Sequence, residues 1–378
     1  MLKVEIITNP NEILHYEREW DALYMSCACE ASTSFDWTYA LLKTHLKKND
    51  TFFLIVLKDS DSIIGILPLI TTERKKLGQK LTTLIPISEY YNTHSDFLIS
   101  HFDNAVIETL ATSLFQIPNK WDIFRVGSFL ESNPIINHLA SWLEKSKLQY
   151  EIRHQEPSFF IQFDKTYDEY LNKRSSKFRN YLRRMEKKLK DQGSISYKTE
   201  SDYNDISVAY NHLLDIEKNS WKHSHGTAIS VIAKQENFYK YLVDGAFPKG
   251  NLHLLFLFLE NKPIAYNLGL IKNQTYLYLK TSYVESFRKF GPSTVLRAKL
   301  IQMLIDSGAR YFDFPGEPYE WEKQWAEELR WHKSLVIYNN TVKAKLLFTY
   351  QRMRKKSSDS DFPEEVQYHD PLDFKPEQ

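Results

Sequence analysis

Arg288, Lys289, Gly291, Ser293 and Thr294 fall between a strand-like run, TYLYLKTSY, and an apolar helical pattern that begins at Ser293. That placement suits a phosphate. Glycine lets a ligand approach the backbone closely. Pro292 and Ser293 suit a helix start. The first turn of a helix offers free N–H groups and the positive end of the peptide dipoles. Arg288 and Lys289 add charge. The spacing is Arg288-x-x-Gly291-x-Ser293. Neither G-x-x-x-x-G-K-[ST] nor G-x-G-x-x-G occurs, so a P-loop and a dinucleotide fingerprint are both excluded. No G-x-S-x-G elbow occurs either, so a covalent acyl-enzyme is not expected.

Two other pairs could do chemistry. His223 and His225 share one loop, and Cys27 and Cys29 are one residue apart. A structural zinc site uses four ligands and a catalytic one three. Neither pair brings a third, so no metal is expected. His225 is kept as a possible substrate contact. With two cysteines there is no disulfide framework, which fits a reducing compartment.

The elements that hold these residues follow from periodicity. Residues 3–8 alternate like a strand, and helices follow over 10–27 and near 37–47. TFFLIVLKD and SIIGILPLITTE read as a hairpin. LTTLIPI is a further strand, and SDFLIS can extend the sheet. A helix near 103–117, the strand WDIFRVGSF, a helix over 134–146 and the strands LQYEIRH and SFFIQF complete this half. The second half repeats the order. SISYKTE is a strand, 205–221 and 235–246 are helices, and NLHLLFLFLE, PIAYNLGLI and TYLYLKTSY are strands. A helix from Ser293 to about Ser307 is ended by Gly308. YFDF, a helix EWEKQWAEEL and the strand HKSLVIYN follow. Both halves read β-α-α-β-β-β-α-β-α-β, without residue-level similarity. Duplication of one α/β lobe is the simplest account, and a single mixed-sheet domain is the alternative.

The expected division is a first lobe over 1–164, a basic connecting helix over 165–193, a second lobe over 194–345 and a mobile acidic tail over 355–378. In the connecting helix Phe178, Leu182, Met185 and Leu189 form a narrow apolar stripe. From Asn172 to Lys190 there are nine Lys/Arg and one Glu. This is either a solvated face or a clamp for phosphates. The tail carries three prolines, many acids and no periodicity.

Bulk properties fit this picture. The chain has 378 residues, enough for one or two domains, and 42% are hydrophobic, so real cores can form. The net charge of +1 gives no overall bias toward polyanions. No signal-peptide pattern and no apolar run of membrane-spanning length is present, so a cytoplasmic protein is expected.

The loop at Arg288, Gly291 and Ser293 resembles the [QR]-x-x-G-x-[GA] motif with which GNAT acetyltransferases hold the CoA pyrophosphate, with serine as the last small residue. The run ENKPIAYNLGLIKNQTYLYLKTSYVESFRKFGPSTVL, then GARYFDFPGEPYEWEKQW, looks like the CelD/BcsL-like group (BioF-like acetyltransferase domain). So do SSKFRNYLRRMEKKL, DIEKNSWKHSHGTA, and EWDALYMSC, SFDWTYALL, IIGILPL and NTHSDFLI in the first half. The likeness covers about residues 3–340, and Fem-type transferases are similar in their doubled lobes. It implies an α/β fold of two tandem GNAT-like lobes, with mixed, mainly antiparallel sheets flanked by helices.

The resemblance also implies attack of an amine or hydroxyl on an acyl-CoA thioester, with acetyl-CoA the first candidate. Cofactor contacts are then Arg288, Lys289, Gly291, Ser293 and Thr294. Catalytic candidates are Asp313, Glu217 and Tyr319. Each has a structural alternative: Glu217 can simply pair with Lys222, Asp313 can cap backbone groups, and Tyr319 can pack. Substrate contacts are expected from Trp221, Lys222, His225 and Tyr283, and from Tyr91 and His94 in a first lobe that lacks the CoA loop. The acceptor expected from the family is a sugar, polysaccharide or cell-envelope precursor. The alternatives are a Fem-type aminoacyl-tRNA-dependent peptidyltransferase and a non-catalytic binding protein on the same fold.

Overall fold

The computed structural model describes residues 2–76, 78–91, 94–118 and 121–355. The acidic tail lies outside the described residues, apart from Lys355. The chain divides into two compact units. Among the described residues, unit 1 runs to Pro157 and resumes at Arg330, and unit 2 is Ser158–Leu329.

Unit 1 runs β1 (Leu2–Ile7), α1 (Glu17–Ser26), α2 (Phe35–Thr44), β2 (Thr51–Asp59), β3 (Ser62–Lys76), β4 (Gln79–Pro86), β5 (Leu98–Ile99), α3 (Asn104–Gln116), β6 (Ile123–Leu130), α4 (Ile135–Lys145) and the first part of β7 (Gln149–Gln162). Its strands are ordered β1-β2-β3-β4-β6, then a later strand, then β7, with β5 beside β3. Most neighbours are antiparallel, and β4–β6 is parallel. Phe52 to Leu57 of β2 are all buried, so this strand reads as a continuous apolar run rather than an alternation.

Unit 2 takes the end of β7, then α5 (Tyr167–Asn172), α6 (Ser176–Lys190), β8 (Ile195–Thr199), α7 (Ile206–Lys218), α8 (Trp221–Ser224), α9 (Ala233–Ala246), β9 (Leu252–Leu259), β10 (Lys262–Lys272), β11 (Thr275–Tyr283), α10 (Pro292–Asp306) and β12 (Tyr311–Asp313). Its strand order is β7-β12-β11-β10-β9-β8. Two-residue turns make the β9-β10-β11 meander. Glu260 and Asn261 have φ of 47° and 65°, and Asn273 and Gln274 have φ of 50° and 62°. Positive φ at both central residues is what a twisted hairpin requires. The chain then enters β13 (Glu328–Tyr338) and α11 (Val342–Lys355). From Arg330 on these belong to unit 1, where β13 pairs antiparallel with β6.

Several elements differ from the sequence expectation. The connecting helix expected over 165–193 is two helices, because Ser175 leaves the helical region and its hydroxyl accepts from the Phe178 N–H to start α6. The helix expected over EWEKQWAEEL is a 3-10 turn at Glu320–Gln324, since Glu328 onward is drawn into β13. The His223–His225 loop starts as the short helix α8. The helix α11 has no counterpart in the expected order.

In unit 2 the apolar stripe of α6 (Phe178, Leu182, Met185, Leu189) is buried with Val295, Leu296 and their neighbours on α10. The basic side chains Lys177, Arg183, Arg184, Lys187 and Lys188 are left exposed. Among the described residues no helix is long and apolar enough to cross a membrane.

Candidate active site

Strand β11 organises unit 2's polar residues. It pairs with β10 over its length, but with β12 only from Thr275↔Tyr311 to Leu277↔Asp313. From Tyr278 to Tyr283 that edge has no ladder partner among the described residues. An open edge offers backbone N–H and C=O groups to an extended ligand. The β10–β11 register shifts between Leu268 and Gly269, where Leu279 is skipped in the pairing.

At the end of β11 the chain turns through Glu285–Phe290 into α10. Gly291 has φ 61° and ψ 45° at the start of this helix. A Cβ there would lie 3.0 Å from Met185 Cγ on α6. Pro292 has no N–H, and the Thr294 and Val295 N–H groups both donate to Gly291 O at 3.0 Å. The Ser293 N–H is the donor of this turn left for a ligand. The Ser293 hydroxyl is 3.3 Å from that of Thr281 on β11. Arg288 is well exposed and lies 3.4 Å from Glu285, and the Lys289 ammonium sits over the Phe290 ring at 4.9 Å. Both cations can therefore turn toward an anion at the helix start.

On the other face of the sheet Glu217 is fully buried. Its carboxylate accepts from the Tyr266 hydroxyl at 2.6 Å and from the Ile229 N–H at 3.0 Å. Lys222 is 3.5 Å away and donates to Thr281 O at 2.5 Å. Burial pushes the Glu217 carboxyl up, but Lys222, Lys280, Tyr266 and the Ile229 N–H together hold it below the usual carboxylate range. Trp221 stacks edge-on against His225 at 5.5 Å. The Glu285 N–H donates to Asn219 O at 2.9 Å, which ties the end of α7 to the loop after β11. Glu217, Trp221, Lys222 and His225 are thus gathered beside the half-buried end of β11, where Tyr283 lies.

Asp313 is fully buried at the last β11–β12 pair. It belongs to a second polar group. Arg297 on α10 is buried with its guanidinium 4.2 Å from the Trp321 ring centroid and 5.3 Å from that of Trp325, and it donates to the Tyr278 hydroxyl at 2.9 Å. Burial raises the Glu322 carboxyl to about 8; the Tyr319 N–H and Arg297 act against this, and the charge of Asp313 adds to it. Tyr319 is half-buried and its N–H donates to Glu322 at 3.0 Å. Asp313 and Tyr319 therefore lie around Glu322 and Arg297, apart from the Glu217 group.

Tyr91 and His94 lie in unit 1. Tyr91 meets Trp37 and His45 edge-on, and the buried His94 ring stacks on His332 at 4.6 Å. Cys27 and Cys29 are buried thiols, not joined in a disulfide, and the Cys27 thiol donates to Ile99 O at 3.4 Å. No group of three His, Cys, Asp or Glu side chains fit to hold a metal occurs among the described residues.

Sequence reasoning missed Lys280, Arg297 and Glu322. The signal for Lys280 was a cation inside an aromatic and apolar strand. That for Arg297 was a cation on the same helix face as Leu300, Ile301 and Leu304.

Residues 176–323 match the family model described as an acetyltransferase (GNAT) domain. No curated protein matches the chain. Among solved structures, FemX superposes with a TM-score of 0.62 at 14% identity, covering 91% of this chain and 100% of that one. A C-terminal domain described as that of a lysylphosphatidylglycerol synthetase from Agrobacterium fabrum gives 0.55 at 8%, covering 90% and 96%. L-PGS from Bacillus licheniformis gives 0.53 at 13%, covering 88% and 96%. At such identities the likeness is one of fold. Residues 176–323 thus match the GNAT acetyltransferase domain, and the α/β fold of the chain is similar to that of FemX.

Proposed function

We propose that the protein is an acyl-CoA-dependent N- or O-acyltransferase, using acetyl-CoA or a related acyl-CoA, whose acceptor is a sugar, polysaccharide or cell-envelope precursor. The observation that carries the reading is the open edge of β11 leading straight into the Gly291 start of α10, inside a GNAT acetyltransferase domain. The pyrophosphate would lie at the Ser293 and Thr294 turn with Arg288 and Lys289 beside it. The pantetheine arm would lie along residues 278–283, its amides meeting the free strand edge. A thioester at the Leu279 irregularity would find backbone N–H groups for the developing oxyanion. The acceptor's amine or hydroxyl attacks the thioester carbon, loses its proton to a base, and CoA leaves as the thiol. Asp313 and Glu217 are the candidates for the base, and Tyr319 for the acid.

Among the described residues, unit 1 lacks these features at the matching place. There the helix α3 is started by Asp103, whose carboxylate accepts from the Val106 N–H at 2.9 Å. An acid at that position repels phosphate, so we assign the acyl-CoA to unit 2. The acceptor class and a place in the CelD/BcsL-like group rest on the sequence resemblance. The test is calorimetric titration with acetyl-CoA, followed by a thiol-release assay with amino sugars. Absence of acetyl-CoA binding would overturn the reading.

A second reading is supported by the exposed cations of α6 and the likeness to FemX. In it the aminoacyl group comes from tRNA, and α6 meets the RNA backbone. Binding would then weaken steeply with salt, whereas acetyl-CoA alone would not bind.

A further inference from the structure

Lys280 stands out among the charged groups of unit 2. It lies on β11, just after the irregularity at Leu279 and within the stretch that has lost its β12 neighbour. Its ammonium is partly enclosed. It makes no hydrogen bond or ion pair among the described residues, and its one close contact is the Tyr239 ring of α9, 5.8 Å from the centroid. The charges facing it are Lys222 and Glu217. Glu217 is already committed to Tyr266, Ile229 and Lys222. Two cations therefore share one carboxylate. Two positions along the same face of β11, Ser282 is 2% exposed and its hydroxyl has no hydrogen-bond partner among the described residues.

An enclosed cation that must share its one carboxylate with a second cation is costly, and so is a buried hydroxyl without a partner. Both costs are met if a ligand brings an anion. We propose that Lys280, assisted by Ser282, binds an anionic group of the acceptor, a carboxylate or a phosphate, so that the acceptor is an acid rather than a neutral sugar. This rests on the acyltransferase reading and narrows its acceptor class. Burial and the nearby Lys222 lower Lys280 to about 8. It is thus still largely charged at neutral pH, and an anion would hold it more firmly so. The arrangement also sets the anion beside Leu279, where the thioester would lie, so that clamping the acid aligns the acceptor's nucleophile.

The test uses the full chain and three small probes: inorganic phosphate, succinate and glucose. Thermal melts and titrations are run on the wild type, K280M, S282A and R288A, each also titrated with acetyl-CoA. Phosphate or succinate should raise the wild-type melting temperature and glucose should not; which anion acts separates a phosphate from a carboxylate acceptor. K280M should lose roughly tenfold to a hundredfold in affinity for that anion, and S282A a smaller factor. K280M alone should melt no lower than the wild type, because it removes one of two cations crowded on a single carboxylate that Lys222 still pairs. Its acetyl-CoA affinity should stay within about twofold. The proposal is overturned if neither anion acts, or if K280M keeps the anion response. It is also overturned if R288A loses that response while K280M does not, which would put the anion at the start of α10. Loss of acetyl-CoA binding in the wild type would instead count against the acyltransferase reading, while the K280M comparison still decides the anion site.

Discussion

The Tyr266 hydroxyl donates to Glu217 at 2.6 Å, and this bond fixes a fully buried carboxylate between α7 and β10. With the Ile229 N–H and Lys222 also engaged, Glu217 holds three elements together. Removing one partner of a buried pair leaves the other charge uncompensated, which costs about 3–5 kcal/mol. Glu217→Ala should lose stability of that order in urea unfolding. Tyr266→Phe should lose about 1–3 kcal/mol through the orphaned carboxylate. Because the folded carboxyl titrates below its unfolded value of 4.5, its contribution is present above that pH and is lost as the solution is acidified further. Glu217→Gln should flatten this acid limb. An unchanged melting temperature in all three variants would show that the cluster does not hold the unit together.

Gly291 and Met185 give a second prediction. With φ at 61°, any L-residue at 291 is strained by about 1–2 kcal/mol. The Met185 side chain is also within 3.0 Å of the new Cβ. Gly291→Ala should destabilise by at least that strain, and adding Met185→Ala should recover the contact but not the backbone cost. A Gly291→Ala protein as stable as the wild type would mean that this turn relaxes freely.

Much of this arrangement could be read from the sequence, and the rest could not for a definite reason. The loop from Arg288 to Ser293 is local, so residue types and spacing suffice to mark it. The meander β9-β10-β11 was legible for the same reason, since its strands are joined by two-residue turns. By contrast β13 pairs Leu335 with Val126, and nothing near either residue announces a partner so far away. Lys280 escaped notice because its importance lies in what is missing around it. Only the folded arrangement shows that Glu217 is already shared with Lys222.

Glu322 should make stability depend on pH in the direction opposite to an ordinary carboxylate. Its folded value is about 8 and its unfolded value 4.5. The folded protein therefore keeps a proton that the unfolded chain releases. This contribution is complete below the unfolded value and is lost as the pH rises through the folded one. Thermal melts between about pH 5 and 8 should fall for the wild type relative to Glu322→Gln, whose amide stays neutral throughout. Parallel curves would show that Glu322 is ionised in the folded protein.

Arg288 and Lys289 should affect acyl-CoA affinity without affecting fold, since both are exposed and Arg288 is paired with the neighbouring Glu285. Their charges act across solvent, so screening matters. Arg288→Ala and Lys289→Ala should each weaken acetyl-CoA binding several-fold at low salt, and less at high salt. Calorimetric titration at two ionic strengths checks this. Equal affinity in both variants at low salt would move the pyrophosphate away from this loop.

Asp313 should matter for turnover more than for acyl-CoA affinity. It is fully buried at the last rung that joins β11 to β12, where it stands opposite Leu277. Beyond it the chain passes into Pro315 and Gly316 while β11 runs on paired with β10 alone, so the carboxylate sits where the two strands begin to part. A base at that point could take the acceptor's proton as the nucleophile meets the thioester. Asp313→Asn keeps the shape and removes the charge. The loss should be roughly 10²–10⁴-fold in turnover, the usual range for general-base removal. Acetyl-CoA affinity should hardly change, because the proposed phosphate contacts lie on the Gly291 loop. A steady-state thiol-release assay beside a calorimetric titration on the same variant measures both. Near-normal turnover would take Asp313 out of the mechanism and turn attention to Glu217. A collapse of the melting temperature would make Asp313 an anchor of the strand junction, held by its neighbours around Glu322 and Arg297 rather than by any role in proton transfer.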